Sequence, residues 1–472
     1  MTQINDSTAG VITRTYDGLD RLTSEQTPQG TVGYAYDAAS RRSTMTVSGQ
    51  PSPVVYFYDN ANRLTQITQG TSVVQFGYDN ANRRTSLTLP NNILVEYTYD
   101  AASRVTSITY KQNLNTVIGD LTYEYDKAGN RTKTGGSWGR TGMPEPITTT
   151  SYDGNNRQLT FGDKTLAYDD NGNLQSITDS NGTTLYNWNA RNQLVAINGP
   201  TVNASFVYDG IGRRENKTIN GSLTEFLYDG INPVQETSGA TILANILPSL
   251  EIDEFLTRTD VVAGVTSNFL TGALGSPVAV ADNSGAVQTE YTYESFGRTS
   301  ATGASNSSSY QYTGRENDGT GLFYFRARYY HPALQRFISE DPIEFKGENE
   351  NLYSYVFNTP TNDTDPWGLQ AAIPTPMGPL PFPITGPMKP LTPSQVRDME
   401  DFFRDLLDKL AGRVADTQIE KDYADYAAQE RACGKKPMDR CEWLRQHRNN
   451  YRLDQWQPTE KAWGCRNIRK RG

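Results

Sequence analysis

The sequence predicts a mainly β protein: a long, repeat-built sheet winding as a shell, followed by a small, mainly α C-terminal domain. Three observations carry this. Tyr-Asp recurs at Tyr16, Tyr36, Tyr58, Tyr78, Tyr99, Tyr125, Tyr152, Tyr168, Tyr208 and Tyr228, mostly 20–22 residues apart, and a fixed period in that range belongs to stacked repeats. Tyr (28) and Gly (40) are abundant while apolar content is only 36%, which suits short strands joined by polar turns. Near residue 370 the composition breaks: residues 370–472 hold 18 Lys/Arg against 14 Asp/Glu and all three cysteines, leaving 26 against 39 upstream. A chain of 472 residues is past the size at which one core keeps growing, so at least two units are expected.

Each repeat has a physical reading. A β-prone run such as SVVQFGY or ILVEYTY ends on the Tyr. The Asp then opens a turn, where its carboxylate accepts backbone N–H groups. Asn, Ser or Gly follow at positions that tolerate positive φ, and a second strand such as RLTQI resumes with period-2 alternation. Trp188-Asn189 and Tyr293-Glu294 stand in for Tyr-Asp. One such hairpin is unstable alone, so neighbours must hide its faces and edges. The recurring Tyr is read as packing between rungs rather than as a sugar platform, because a residue present at every rung suits register. Residues 230–290 interrupt the period, and two strands resume around Asn283-Ser284-Gly285.

No run approaches the roughly 18 to 20 apolar residues that a membrane-spanning helix needs. The start, MTQINDSTAG, has neither a basic n-region nor an apolar h-region, so export by a non-classical route is expected.

Residues 310–369 read YQYTGRENDGTGLFYFRARYYHPALQRFISEDPIEFKGENENLYSYVFNTPTNDTDPWGL. The run GRENDGTGLFYFRARYYHP, then RFISEDP, NLYSYVFNTP and DPWGL, closely resembles the core-associated module of the Rhs (YD-repeat) family. The resemblance implies that the repeats of residues 1–309 form a hollow β-shell, and that they correspond to the C-terminal part of the family's longer shells. It also implies that residues 310–369 cut the chain once, as a single-turnover aspartyl autoprotease. Carried over residue by residue, the two aspartates fall on Asp341 and Asp365, the arginine on Arg328, and the scissile bond on Leu369–Gln370. Two carboxyls are needed because one activates water as the anion while the other, protonated, donates to the carbonyl; placed close together they share a proton. Three residues depart from the family pattern. Glu344 stands where many relatives have Gly, KGENENLY is one residue longer than usual, and His331 replaces an Asp.

Residues 370–392 are Pro-rich, with eight prolines from Pro374 to Pro393, and read as an extended linker. At 393–472 a capped helix begins: Thr392 is the cap, Pro393 the first helical position, and Val396, Met399, Phe402, Phe403, Leu406, Leu407 and Leu410 form one apolar face. The end is basic, 11 Lys/Arg against 4 Asp/Glu over 433–472, with Trp443, Tyr451, Trp456 and Trp463 interleaved, a pattern that fits nucleic-acid contact. His447, the one histidine of this tail, is the candidate general acid or base of a metal-free ribonuclease. Glu442 or Glu460 would be its partner, and Arg445, Arg448, Lys461 and Arg466 the phosphate-binding cations. No metal or cofactor is expected: C-x7-C matches no common zinc spacing. A Cys433–Cys441 disulfide and buried thiols both stay open.

Two functions follow from these features. In the first, an Rhs-type toxin of interbacterial competition carries its C-terminal toxin in the shell and releases it by autoproteolysis. The resemblance then implies a cognate immunity protein for residues 393–472, a type VI-like or Tc-like secretion apparatus, an RNA substrate, and delivery of the tail into a target-cell cytoplasm. The alternative is a non-enzymatic YD-repeat surface, adhesion or carbohydrate-binding protein. The position of the Asp pair, directly upstream of a compositionally foreign tail, favours the first.

Overall fold

The computed structural model describes residues 2–369 except Glu145, Thr148 and Glu348, together with Pro374, Thr375, Gly378, Pro379, Tyr426 and Trp443. Two compact units separate: residues 1–188 with 193–388, and residues 189–192 with 389–472. Among the described residues the first holds, besides a four-stranded and a two-stranded sheet, two large sheets laid down strand after strand. One has 13 strands, from Gln3–Asp6 to Arg131–Gly135; the other has 17, from Thr141–Gly142 to Thr299–Gly303. The strand order runs antiparallel from Gln3–Asp6 to Arg131–Gly135 and from Thr150–Tyr152 to Thr299–Gly303, and Thr141–Gly142 pairs in parallel with Val287–Glu294. Within the Pro-rich run, Thr375 pairs with Gly378 and Pro374 with Pro379.

The repeat works as a chemical ladder. At Asp37, Oδ1 accepts the N–H groups of Ala39 and Arg41, both at 2.9 Å, while Oδ2 accepts Arg41 Nε at 2.7 Å. Ser40 takes φ +61°, where Asn, Asp or Gly stands in other rungs. The Arg41 guanidinium then lies 4.6 Å from the centre of the next Tyr-Asp ring, Tyr58, and donates to the Asp59 carbonyl at 3.3 Å. Arg63 on Tyr78, Arg83 on Tyr99 and Arg104 on Tyr125 repeat the stack at 5.0, 4.8 and 4.7 Å. The hydroxyls of Tyr36, Tyr58, Tyr78, Tyr99, Tyr125, Tyr208 and Tyr228 reach back to a carbonyl of the preceding rung, Tyr58 to Arg42 at 2.8 Å. Trp188 makes the same bond through Nε1 to Leu174 at 2.8 Å, and Tyr293 to Pro277 at 2.7 Å. The stand-ins preserve the bond and lose only the letter of the motif.

In the first sheet the Tyr of Tyr-Asp is half-buried. The deepest aromatic is two residues earlier, on the same face: Tyr34, Tyr56, Phe76, Tyr97 and Tyr123 are all buried. This face packs on Leu227, Val234, Leu247, Leu256, Leu270, Ala279 and Ala281 of the second sheet. Polar ties cross the same gap, among them Arg42–Asp229, Arg84–Glu254 and the Tyr110 hydroxyl to the Thr271 carbonyl at 2.7 Å. Side chains therefore fill the space between these parts of the two sheets.

The stretch 310–369 sits on another part of the second sheet. Leu322, Tyr324, Tyr329, Leu334 and Ile338 share a core with Leu166, Leu174, Leu194 and Phe206. Arg214, wholly buried, pairs with Glu316 and Asp318, and Lys217 adds a bond to Asp318 at 2.9 Å. Four short strands, Glu316–Asn317, Phe323–Phe325, Arg328–His331 and Arg336–Phe337, order the stretch.

The two aromatic positions of a repeat should separate on mutation. Tyr56→Ala removes a buried ring and should cost roughly 3–5 kcal/mol. Tyr78→Phe, which loses one hydroxyl bond to the Leu64 carbonyl, should cost about 1 kcal/mol. Urea midpoints of the two variants measure the difference, and equal losses would contradict the assignment of depth.

Candidate active site

Both Asp-Pro steps open turns, as such steps ordinarily do. Asp341 follows Arg336–Phe337; its Oδ1 accepts the Ile343 N–H at 3.0 Å and its carbonyl accepts the Glu344 N–H at 2.9 Å. Glu344 takes φ +53°, a left-handed conformation that explains why Gly suits this position. Asp365 closes the second turn by accepting the Leu369 N–H on Oδ1 at 3.0 Å. The remaining oxygens converge: Arg328 Nη2 lies 2.9 Å from Asp341 Oδ2 and 3.5 Å from Asp365 Oδ2.

Arg328 is buried and held on every side. Its Nε donates to the Gly368 carbonyl, its Nη1 donates to the Leu352 carbonyl at 2.9 Å, and the guanidinium lies 3.7 Å from the centre of the Phe337 ring. Burial lowers its affinity for a proton, and the two aspartates oppose that. Asp341 is pushed up to about 6: burial outweighs Arg328 and the Ile343 N–H, and the charge on Asp365 adds to the rise. A carboxyl with that value is a proton donor at mildly acidic pH.

Arg328, Asp341, Asp365 and Leu369 line one cleft of about 20 Å³, enough for a water molecule. Gly347 keeps it open. A Cβ at Gly347 would lie 3.2 Å from Asp341 Oδ2 and 3.2 Å from the Leu369 carbonyl oxygen, so these two oxygens border the same spot. Gly368 has φ +68°, and a Cβ there would fall 2.3 Å from the Phe325 carbonyl oxygen. No other residue fits that approach.

The geometry thus joins Arg328, Asp341, Asp365 and Leu369 as the sequence expects. Gln370 lies outside the described residues, as do the ribonuclease candidates Glu442, His447, Arg445, Arg448, Glu460, Lys461 and Arg466. One tail expectation is corrected. Trp443, one of the interleaved aromatics read as fitting nucleic-acid contact, is buried, with its ring 6.1 Å from that of Tyr426. His331 takes over the turn bond an Asp would make, accepting the Leu334 N–H on Nδ1 at 3.2 Å. Sequence reading missed Gly347, the Phe337 platform, and Arg326 with Asp253. The RARYY motif offered a signal for Arg326; Asp253 had only the break in the repeat period.

A sequential antiparallel sheet of Tyr-Asp rungs, with the module of residues 310–369 packed on it, defines the class of YD-repeat shells. The Teneurin YD-shell family model matches residues 19–119 and 92–361, and the chain belongs to this family, as an Rhs-type YD-shell protein. It is 30% identical over 260 residues to the tRNA3(Ser)-specific nuclease WapA of Bacillus spizizenii, covering 52% of this chain and 11% of that protein. It is 27% identical over 276 residues to the double-stranded DNA deaminase toxin A of Burkholderia cenocepacia, covering 50% of this chain and 19% of that one. Among solved structures, the TcdB2–TccC3 complex without its hypervariable C-terminal region superposes with a TM-score of 0.58 at 19% identity, over 76% of this chain and 24% of that one. The chain therefore spans only a tenth to a fifth of these curated relatives. No helix among the described residues is long and apolar enough to cross a membrane.

Infrared titration of the folded protein should show a carboxyl ionising near pH 6 that is missing from Asp341→Asn. An unchanged titration between pH 5 and 7 in that variant would contradict the assignment.

Proposed function

We propose that this chain is the toxin-bearing end of an Rhs-type effector, which cuts itself after Leu369 to release residues 370–472. The observation that carries the reading is the meeting of Arg328, Asp341 and Asp365 in a water-sized cleft beside the Leu369 carbonyl. Protonated Asp341 donates to that carbonyl. Ionised Asp365, held by Arg328, takes a proton from water, whose oxygen bonds to the Leu369 carbonyl carbon. The C–N bond then breaks, and a carboxyl returns a proton to the departing Gln370 amine. Arg328 between the two Oδ2 atoms keeps one proton on the pair rather than two.

Relatives whose names describe a tRNA nuclease and a deaminase toxin support a toxin role for the tail. The basic composition of residues 433–472 and the lack of clustered carboxylates at metal-ligand spacing favour a metal-free ribonuclease using His447. A cognate immunity protein for residues 393–472, a type VI-like or Tc-like secretion route and delivery into a competitor's cytoplasm complete the proposal.

Cleavage should yield fragments of roughly 40 kDa and about 11–12 kDa at about 110 Da per residue, the smaller beginning at Gln370. Asp341→Asn and Asp365→Asn should each leave the 52.5 kDa chain whole and folded. A different N-terminus on the small fragment would refute the site. The rate should fall as pH rises through about 6, where Asp341 loses its proton, by roughly tenfold per unit above it. A rate that climbs between pH 6 and 8 would exclude Asp341 as the acid.

Expressed inside a bacterium, residues 393–472 should be toxic and degrade RNA. His447→Ala should abolish both while keeping the helical circular-dichroism signal. Full toxicity with intact RNA in that variant would end the ribonuclease reading.

A further inference from the structure

The segment that enters the cleft is fixed before it gets there. Three successive carbonyls upstream of Leu369 are each bound by the hairpin Phe325–Arg328. Arg326 Nη1 donates to Pro366, the Ala327 N–H donates to Trp367 at 3.1 Å, and Arg328 Nε donates to Gly368. Arg328 belongs to the proposed chemistry; Arg326 does not touch the aspartate pair. Its guanidinium lies 5.3 Å from the Trp367 ring centre, and its backbone has φ +58°. A bulky residue with that φ is uncommon and is held there by its surroundings.

What holds it comes from outside the module. Asp253 accepts Arg326 Nη1 on Oδ2 at 3.0 Å and Nη2 on Oδ1 at 2.6 Å, and it also accepts Arg315 Nη1. Asp253 is nearly inaccessible and lies in the turn Ser249–Glu254 of the second sheet, where the Tyr-Asp period is interrupted. Asn232 pins that turn by accepting the Asp253 N–H at 3.1 Å and donating to the Glu251 carbonyl at 2.8 Å. The adjacent Glu254 pairs with Arg84 of the first sheet. One turn therefore touches the first sheet, the second sheet and the module.

We propose that Asp253, acting through Arg326, is a positioning residue for cleavage, so that the shell wall licenses the cut at Leu369. Arg326 can clamp the Pro366 carbonyl only while Asp253 orients its guanidinium and neutralises its repulsion from Arg315. Cleavage thereby depends on a folded wall, and a module that has not docked leaves the bond whole. The proposal rests on the autoproteolytic reading and adds its control.

The test uses the full chain, with folding checked by thermal melting. Asp253→Asn and Arg326→Gln should each slow appearance of the Gln370 fragment by roughly 10- to 100-fold, the penalty of a small misplacement. The double variant should be no slower than Arg326→Gln alone, because both act through one contact. Arg326→Lys should recover part of the rate, and it carries the comparison if the Gln variant does not fold. In the Asp341→Asn background, Arg326→Gln should speed hydrogen exchange at the Ala327 and Leu369 amides by at least about tenfold. Wild-type cleavage in folded Asp253→Asn, additive single effects, or unchanged exchange would each overturn the proposal. A wild-type chain that stays uncut while exchange responds to Arg326→Gln would instead overturn the autoproteolytic reading and leave the clamp standing.

Discussion

The stack of one arginine on the next repeat's tyrosine is the interaction on which the rest is built. Asp37 orders its own turn through backbone N–H bonds and holds Arg41, whose guanidinium covers Tyr58 and caps the Asp59 carbonyl. Each rung is therefore tied both within itself and to its successor. The Asp–Arg pairs are partly solvated, so each contributes little as an isolated ion pair. Their value is register: a slipped strand would lose the stack, the carbonyl bond and the buried aromatic two residues upstream together.

That register lets remote parts of the chain meet with atomic tolerance. Charges of the second sheet and its turns bind the parts that pack on it: Asp229 for Arg42 and Glu254 for Arg84 of the first sheet, Arg214 for Glu316 and Asp318, and Asp253 for Arg315 and Arg326 of the module. Leaving any one partner alone would strand a charge away from water, so a misdocked module is penalised far more than the correct one is rewarded. The module uses this discrimination. Its hairpin is set by the wall on one side and grips the Pro366–Gly368 carbonyls on the other.

The cleft follows the same logic at smaller scale. Two turn-forming aspartates meet on one guanidinium, and burial raises Asp341 although Arg328 opposes the rise. Two glycines make the geometry possible, one by the space it leaves beside Asp341 and the other by its close approach to the Phe325 carbonyl. Neither the aspartates nor the arginine would behave this way in an exposed turn.

The sequence by itself determined the repeat, its turn chemistry and the membership of Asp341, Asp365 and Arg328 in one site, because period, Asx turns and a sixty-residue motif are local signals. It also placed Trp188 and Tyr293 in the frame, and both make the carbonyl bond that the structure shows for the other rungs. Depth was another matter. In the first sheet the tyrosine of the motif is half-buried and the aromatic two residues before it forms the core, whereas Tyr208 and Tyr228 of the second sheet are buried themselves, since depth depends on what the sheet faces. Only the tertiary structure decided that Asp253 belongs beside Arg326, 73 residues away in the chain. Ion pairs between elements leave no periodic trace, and their partners are chosen by docking rather than by spacing.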